Sequence, residues 1–299
     1  MADSVGDPAG LSSWADAASD VFGAAGRVMT HPAFSEAARA LARGMLNLSA
    51  SDPALDAIFK DAGRYVAAMW GFGLHQDGGL TLPRLKAACA ASGLLSAGRA
   101  RAQLHFLEYL GYLVRGSGGL RGATIYTPTP IFAAAWDRHF EAALSAVRPI
   151  APDIALLLGP DGAVARQTYG RLSAAGYLVS MQREQPVPAF LRVFMHPYAG
   201  SHVLWTLLAS DADPAFPPAR AGPITIKGLA QVAGVARVQV ARILKTAAAE
   251  GLADLDADGY VNFRPAAREE MAIFYAIQLA QTLAAGALAA REHGLARAG

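Results

Sequence analysis

Leu80-Thr81-Leu82-Pro83-Arg84-Leu85 opens the stretch that decides the fold, because it sets a short apolar strand directly before a helix. Proline is tolerated in the first turn of a helix, where its missing backbone donor is not needed, so a helix is predicted over 84–91. Ser92-Gly93 indicates a turn, and Ser96 is a candidate N-cap for a second helix over 97–111. The stretch therefore predicts two helices joined by a tight turn.

A hairpin and a long helix are predicted to follow these two helices. Residues 114–126 have the pattern of a hairpin, and its glycine-rich tip over 115–122 is flanked by arginines. Proline then precedes a helix predicted over 131–147. Ahead of the opening stretch, apolar periodicity predicts helices over 31–48 and 53–71. The first half of the chain is thus predicted to be a set of helices around one small hairpin.

The second half of the chain repeats this order. Ile224-Thr225-Ile226-Lys227-Gly228-Leu229 corresponds to the opening stretch at an offset of 144, and Ala199-Gly200-Ser201-His202-Val203 corresponds to Ala62-Gly63-Arg64-Tyr65-Val66 at an offset of 137. An insertion in the proline-rich loop 214–218 accounts for the difference. The elements predicted here are helices over 160–176, 188–209, 227–232, 237–250 and 266–292, a strand over 224–226 and a hairpin over 252–263. We predict two tandem domains, residues 1–149 and 150–299.

The composition suits a globular protein of this kind. The chain has 299 residues, 53% hydrophobic and 17% charged, which is too apolar for a disordered protein. Its one cysteine, Cys89, excludes an internal disulfide framework and a multi-cysteine metal site. The first residues lack the basic start and apolar run of a secretory signal, so we expect a cytoplasmic protein. Residues 271–290 could span a bilayer, but they contain Gln278, Gln281 and Thr282, which favours a buried helix and no membrane partner.

The order strand, helix, turn, second helix, hairpin and trailing helix resembles the multiple-antibiotic-resistance (MarR) type winged-helix transcriptional regulators. The resemblance covers nearly the whole chain in two copies. It implies a mainly α fold with two winged-helix domains, in which the second helix of each pair reads DNA. Those regulators are ordinarily two identical chains, whereas here one chain would supply both halves. The resemblance therefore implies a monomer with an internal pseudo-two-fold axis, whose leading and trailing helices form the interface.

The predicted second helices carry side chains that suit the major groove of DNA. Arg99, Arg101 and Gln103 lie near the front of the first such helix, and arginine is the best match for guanine. Arg237 and Gln239 match Arg101 and Gln103 approximately, which favours a shared surface. The alternative is that these arginines only keep an alanine-rich helix soluble. The candidate DNA-binding residues are Arg84, Lys86, Arg99, Arg101, Gln103, Arg115, Arg121, Lys227, Arg237, Gln239, Arg242 and Lys245.

The two copies differ in charge. Six basic residues face one acidic residue over 81–121, whereas five face four over 224–264. Since phosphate neutralisation supplies most non-specific affinity for DNA, the first copy is expected to bind phosphates better. The acidic hairpin around Asp254, Asp256 and Asp258 should be repelled by DNA, so the second copy is expected to bind weakly or through its helix alone.

A regulator of this kind usually has an effector site in the apolar space beside the pairing helices. The candidate lining residues for a small apolar or aromatic effector are Tyr65, Met69, Trp70, Tyr198, His202 and Trp205. The alternative for all six is plain core packing, because aromatic residues at helical spacing usually bury themselves.

Other chemistry is weakly indicated. Asp254, Asp256 and Asp258 copy the start of a calcium loop, but Pro265 stands where its glutamate is needed. Dinucleotide, phosphate-loop and hydrolase motifs are not recognised, and the histidines lack the spacing of a metal helix. We therefore expect no enzyme activity, no cofactor and no metal.

The sequence thus predicts a sequence-specific DNA-binding regulator, expected to act as a repressor, which uses helices near 97–111 and 237–250. Double-stranded DNA is its expected partner, and an asymmetric DNA site is expected because the two helices differ. The alternative is a degenerate winged-helix pseudo-dimer that binds a protein or a small molecule and has lost DNA binding.

Overall fold

The structure is a computed structural model that describes residues 21–92, 95–116, 124–181, 187–210 and 215–295. Within these ranges the fold is mainly helical, with two small antiparallel sheets. The expected mainly α class is therefore confirmed.

The first half of the chain contains seven described helices and three described strands. They are α1 (Val21–Met29), α2 (Phe34–Ser51), α3 (Pro53–Phe59), α4 (Ala62–Gln76), β1 (Leu80–Thr81), α5 (Leu82–Ser92), α6 (Ala97–Tyr109), β2 (Leu113–Gly116), β3 (Ile125–Pro128) and α7 (Pro130–Val147). The turn at Gly93 and the hairpin tip over 117–122, with Arg121, lie outside the described residues.

Side-chain caps set several of these helix starts. Ser96 Oγ accepts a hydrogen bond from Arg99 N at 3.3 Å, so the predicted cap of α6 is confirmed. The helix predicted over 53–71 is instead two helices. Asp61 begins the second of them by accepting from Arg64 N at 2.9 Å, because an extended backbone and a carboxylate at this position favour a new start over continuation.

The second half of the chain begins with two short 3₁₀ segments, Pro152–Leu157 and Pro160–Gly162, which connect it to the first half. Its other elements are α8 (Ala163–Met181), a π-helical turn (Leu191–Met195), α9 (Gly200–Ala209), β4 (Arg220–Ala221), α10 (Ile226–Ala233), α11 (Arg237–Ala249), β5 (Ala253–Leu255), β6 (Val261–Phe263) and α12 (Pro265–Glu292).

Two predictions for this half are wrong. The strand expected over 224–226 lies at Arg220–Ala221, and Thr225 instead caps α10 by accepting from Gly228 N at 3.0 Å. Alternating Ile and Thr imitate a strand, but the threonine hydroxyl satisfies a free helix donor. The single helix expected over 188–209 is interrupted, since Ala199 has φ +60° and separates the π-helical turn from α9.

The two sheets have the same strand order. In the first, β3 lies between β1 and β2, and in the second, β6 lies between β4 and β5, with all pairs antiparallel. In each half a short strand, two helices and a hairpin therefore close on one another.

Helices from the two halves interlock around one core. α2 packs against α9, α4 packs against α8, and α12 packs against α1, α7 and α8. A single cluster of buried apolar residues runs through both halves and includes Trp136 of α7, which is fully buried. Each half thus completes the core of the other.

Candidate nucleic-acid interface

Helix α6 turns a polar face to solvent. Ala100, Leu104 and Leu107 are buried on its inner side, while Arg101 and His105 are exposed. Arg99 is exposed as well, and its Nη2 lies 3.7 Å from Asp61 Oδ1. Gln103 is only half-exposed, and its Oε1 is buried without a partner in the described part of the chain. Gln103 therefore does not belong to the exposed polar face of α6.

Helix α11 presents a more basic face. Val240, Ile243, Leu244 and Ala247 are buried, while the candidates Arg237, Arg242 and Lys245 are exposed. Gln239 is tied down instead, because its Nε2 donates to Tyr198 O at 2.9 Å and its Oε1 accepts from Arg242. Lys227 is exposed at the start of α10. Arg237 and Lys227 also line an open cavity of about 480 Å³ beside the turn between α10 and α11.

The two helices align differently from the sequence expectation. α6 begins at Ala97 and α11 at Arg237, and both are followed by a glycine with positive φ, Gly111 and Gly251, so equivalent positions lie 140 residues apart. Arg101 then corresponds to Ala241. This alignment does not favour the expected match of Arg101 and Gln103 with Arg237 and Gln239, and the exposed faces carry different side chains.

Arg84 has a structural role. Its Nη1 donates to the carbonyl oxygens of Asp77 at 2.6 Å and Gly79 at 2.7 Å, and its Nη2 pairs with Asp77 Oδ2 at 2.9 Å. These contacts satisfy backbone acceptors beyond the end of α4. The guanidinium is thus used inside the protein and is not available for the phosphate contact expected from the sequence.

Replacing Arg84 by alanine is expected to lower the free energy of unfolding by about 2 kcal/mol, because hydrogen bonds to a charged group are lost and acceptors stay unpaired. Urea unfolding followed by circular dichroism measures this. Lys86→Ala is the matched control on α5, since no carboxylate among the described residues lies within ion-pair distance of Lys86. Equal stability of the two variants would contradict the structural role of Arg84.

Arg115 is bound by two side chains of α6. Its guanidinium pairs with Glu108, to which Nη2 donates at 2.9 Å, and Nη2 lies 3.2 Å from His105 Nδ1. The bonds from Arg115 and His105 hold the pKa of Glu108 below its usual range. The charge of Arg115 is therefore largely neutralised.

The acidic hairpin of the second half is also paired. Asp256 accepts from Arg220 Nη2 at 2.8 Å, from Tyr260 N at 2.9 Å and from Asn262 Nδ2 at 3.1 Å. The backbone donation from Tyr260, followed by these side-chain bonds, lowers the pKa of Asp256 to about 2. Asp254 pairs with Arg264. The Asp256 carboxylate organises the turn, and it is filled by protein donors rather than left open for calcium.

Among the described residues, which exclude Arg121, these pairs reverse the expected charge difference between the halves. In the first half, Arg84 and Arg115 are neutralised and Arg99 lies near Asp61. In the second half, Arg220 and Arg264 offset two of the three hairpin aspartates. None of the described carboxylates lies within ion-pair distance of the four basic candidates of that half, Lys227, Arg237, Arg242 and Lys245. The more basic face is that of α11.

The six candidate effector residues do not share one wall. Tyr65 and Trp205 both pack against Phe59, with ring centroids 5.8 and 6.2 Å from it. Met69 is buried, and Trp70 Nε1 donates to Ala174 O of α8 at 3.1 Å. Tyr198 is 44% exposed on the surface. The arrangement supports core packing rather than the predicted effector pocket.

A buried polar network joins the two halves. His202 Nε2 lies 3.1 Å from Asp56 Oδ1, and Asp56 also pairs with Lys60. Ser201 Oγ donates to Phe59 O at 3.0 Å and lies 3.4 Å from His202 Nδ1. Burial lowers the pKa of His202 against the raising effect of the Asp56 carboxylate, and the Lys60 ammonium lowers it further. The serine, histidine and aspartate imitate a hydrolase triad, but the hydroxyl is buried and engaged, so the network is structural.

Sequence reasoning missed this network and the junction that carries it, Lys60-Asp61. The cap residue Asp61 ahead of Ala62 was a readable signal for a helix start. Nothing local marks the rest of the network, because Ser201, His202 and the turn at Gly234 beside Lys60 come from the other half of the chain.

Two further findings concern metal binding and membrane insertion. Across the described ranges, no three histidine, cysteine or acidic side chains lie close enough to hold a metal ion. Among the described helices, α12 is long and apolar enough to cross a bilayer, and its buried residues pack against α1, α7 and α8.

Comparison of the chain with protein-family models, with curated proteins and with solved structures found no significant match.

Proposed function

We propose that this chain is a sequence-specific DNA-binding transcription regulator built from two tandem winged-helix units. α6 and α11 are the recognition helices, and the β2–β3 and β5–β6 hairpins are the wings. Support comes from the shared strand order, in which a short strand before the two helices pairs with the second strand of the hairpin.

The observation that carries the proposal is the exposed face of α11. Arg237, Arg242 and Lys245 project from one short helix whose opposite side is buried, which suits a helix that enters the major groove and contacts phosphates and base edges. Arg101 and His105 occupy the comparable face of α6. Since the two faces differ, the DNA site is proposed to have two unlike halves.

The test is binding to a random-sequence duplex library, followed by measurement of the enriched duplex over a range of salt concentrations. Replacement of both Arg237 and Arg242 by alanine is expected to weaken binding by roughly 30-fold and to lower the salt dependence by about two phosphate contacts. The Arg99→Ala, Arg101→Ala pair is expected to have the smaller effect, because Arg99 already lies beside Asp61.

Arg291→Ala is the control, since Arg291 is an exposed basic residue at the end of α12 and belongs to neither recognition helix nor hairpin. No enrichment of any sequence, or equal loss in the control, would overturn DNA recognition. A larger loss from the Arg99 and Arg101 pair would restore the first unit as the main phosphate binder.

A second candidate function is a protein-interaction module. It is favoured by two large apolar side chains on the same helices, Tyr109, which is 85% exposed, and Val238, which is 75% exposed. Single exposed apolar residues occur on any protein surface, so these two count only because each lies on a candidate recognition helix. Substitution of both by serine would leave phosphate-dependent DNA affinity in place but would abolish binding to a protein partner.

A further inference from the structure

We propose that the junction Lys60-Asp61, between α3 and α4, is a spacer that positions the two candidate recognition helices relative to each other. Its effect on DNA rests on the proposed function. The positioning itself is a property of the folded chain and can be measured without DNA.

Asp61 contacts the first of these helices. Its Oδ1 accepts from Arg64 N at 2.9 Å at the start of α4 and lies 3.7 Å from Arg99 Nη2 on α6. The two helix starts approach closely here, because a β-carbon at Gly63 would lie 2.7 Å from Leu95 Cδ2 and 3.1 Å from Arg99 Nη2. The beginning of α6 therefore packs against the junction.

Lys60 reaches the turn that precedes the second helix. Only 8% of this lysine is exposed, and its ammonium pairs with Asp56. Gly234, which ends α10 with φ +58° just before α11, leaves the space that the ammonium fills. A β-carbon at Gly234 would lie 2.8 Å from Lys60 Nζ. A side chain of the first half thus supports the helix turn of the second.

The backbone of the junction makes a second connection to α11. Lys60 O accepts from Ala199 N at 2.7 Å, and Phe59 O accepts from Ser201 Oγ at 3.0 Å. The neighbouring Tyr198 O then accepts from Gln239 Nε2 on α11 at 2.9 Å. Two routes therefore run from Lys60 to the second helix, one through its ammonium and Gly234 and one through its carbonyl oxygen and Ala199, while Asp61 contacts the first helix.

A fixed separation of two recognition helices determines which spacing of half-sites they can contact together, since the major groove faces one side of DNA only once per helical turn. The spacer is therefore expected to make the protein selective for one separation of its two half-sites. Lys60 and Asp61 would act on DNA selection without touching DNA.

The first experiment measures the distance between the helices with spin labels at cysteines replacing Ala102 on α6 and Ala248 on α11, both exposed, in a Cys89→Ala background. The parent protein is expected to give one narrow distance distribution. Lys60→Met keeps an apolar stem but removes the ammonium, and it is expected to broaden and displace this distribution. An unchanged distribution in a folded Lys60→Met protein would overturn the spacer.

A second pair of variants guards against general unfolding. Gly234→Ala and Gly251→Ala both place a β-carbon at a positive φ, at +58° and +69°, but the added carbon at Gly251 meets nothing within 4 Å beyond its own chain neighbours. The left-handed strain is common to both variants, and only Gly234→Ala meets Lys60. It alone is expected to change the distance, and an equal change in Gly251→Ala would contradict the spacer.

The DNA arm uses the enriched duplex with one or more base pairs inserted between its half-sites. Wild-type affinity is expected to fall roughly tenfold on insertion, whereas Lys60→Met should lose most of this preference. The same preference in both proteins would overturn the effect on DNA. If no duplex is enriched while the distances change as expected, the proposed DNA function fails and the spacer remains.

Discussion

Arg166→Met is expected to lower the free energy of unfolding by about 3 kcal/mol, because it breaks a buried ion pair and leaves buried acceptors without donors. The Arg166 side chain is 7% exposed. Its Nε and Nη2 each donate to Asp137 at 2.8 Å, and its Nη1 donates to Leu157 O at 2.7 Å. The Asp137 side chain is 38% exposed, so water can solvate its carboxylate in the variant. The expected loss of stability is therefore smaller than the largest losses that follow from breaking a buried ion pair.

Urea unfolding at neutral pH measures this loss. Arg138→Met is the matched control on the same partner helix, because Arg138 pairs with Asp52 at 2.7 Å but is half-exposed, so its loss should be at most about 1 kcal/mol. Arg166→Lys keeps the charge but cannot reproduce the planar, bidentate contact, so it should recover only part of the stability. Equal stability of the methionine variants would mean that the Arg166 contacts contribute no more than a surface pair.

Acidification is expected to produce the second large loss, between pH 6.5 and 4.5. Burial lowers the pKa of His139 from 6.5 to about 3, so this imidazole stays neutral in the folded protein while it takes up a proton in the unfolded chain. The stability that it contributes is complete above pH 6.5 and declines as the pH falls toward 3. The expected loss is roughly 1.4 kcal/mol per pH unit for this histidine, and buried His202 acts in the same direction.

His139→Phe separates this effect from general acid damage. Its free energy of unfolding, measured by urea titration at a series of pH values, should depend less steeply on pH than that of the wild type, by about 1.4 kcal/mol per pH unit. The variant should also be less stable at pH 7, because Tyr65 Oη loses its partner His139 Nε2 at 3.1 Å. Parallel pH profiles of the two proteins would show that His139 is accessible to protons in the folded state.

The element order could be predicted from the sequence wherever a local signal decides it. Ser96 caps α6, prolines begin α7 and α12, and glycines with positive φ end α6 and α11, all within a few residues of the expected places. Local signals led to wrong predictions where one sequence pattern fits two different structures. Thr225 belongs to a cap that looks like part of a strand, and the start signal at Asp61 falls inside an apolar periodicity that looks continuous.

The candidate site could be predicted only in part, because charge counts do not include pairing. Arg237, Arg242 and Lys245 lie on an exposed helix face, as the sequence suggested. Arg84 and Arg115 were expected on the same grounds, yet each is bound to a carboxylate of its own unit. Arg220 lies outside the counted stretch and neutralises Asp256. Such partners meet only in the folded chain, so no local pattern reveals them.

The packing of α2 on α9, of α4 on α8 and of α12 on α1 and α7 makes the association of the two halves intramolecular. In proteins assembled from separate chains, dilution shifts the equilibrium toward unpaired subunits. In this chain the halves stay together at any dilution, so the fraction of chains with paired halves does not depend on how much protein a cell makes. The concentration of molecules that can bind a partner through both halves is therefore proportional to the concentration of the chain.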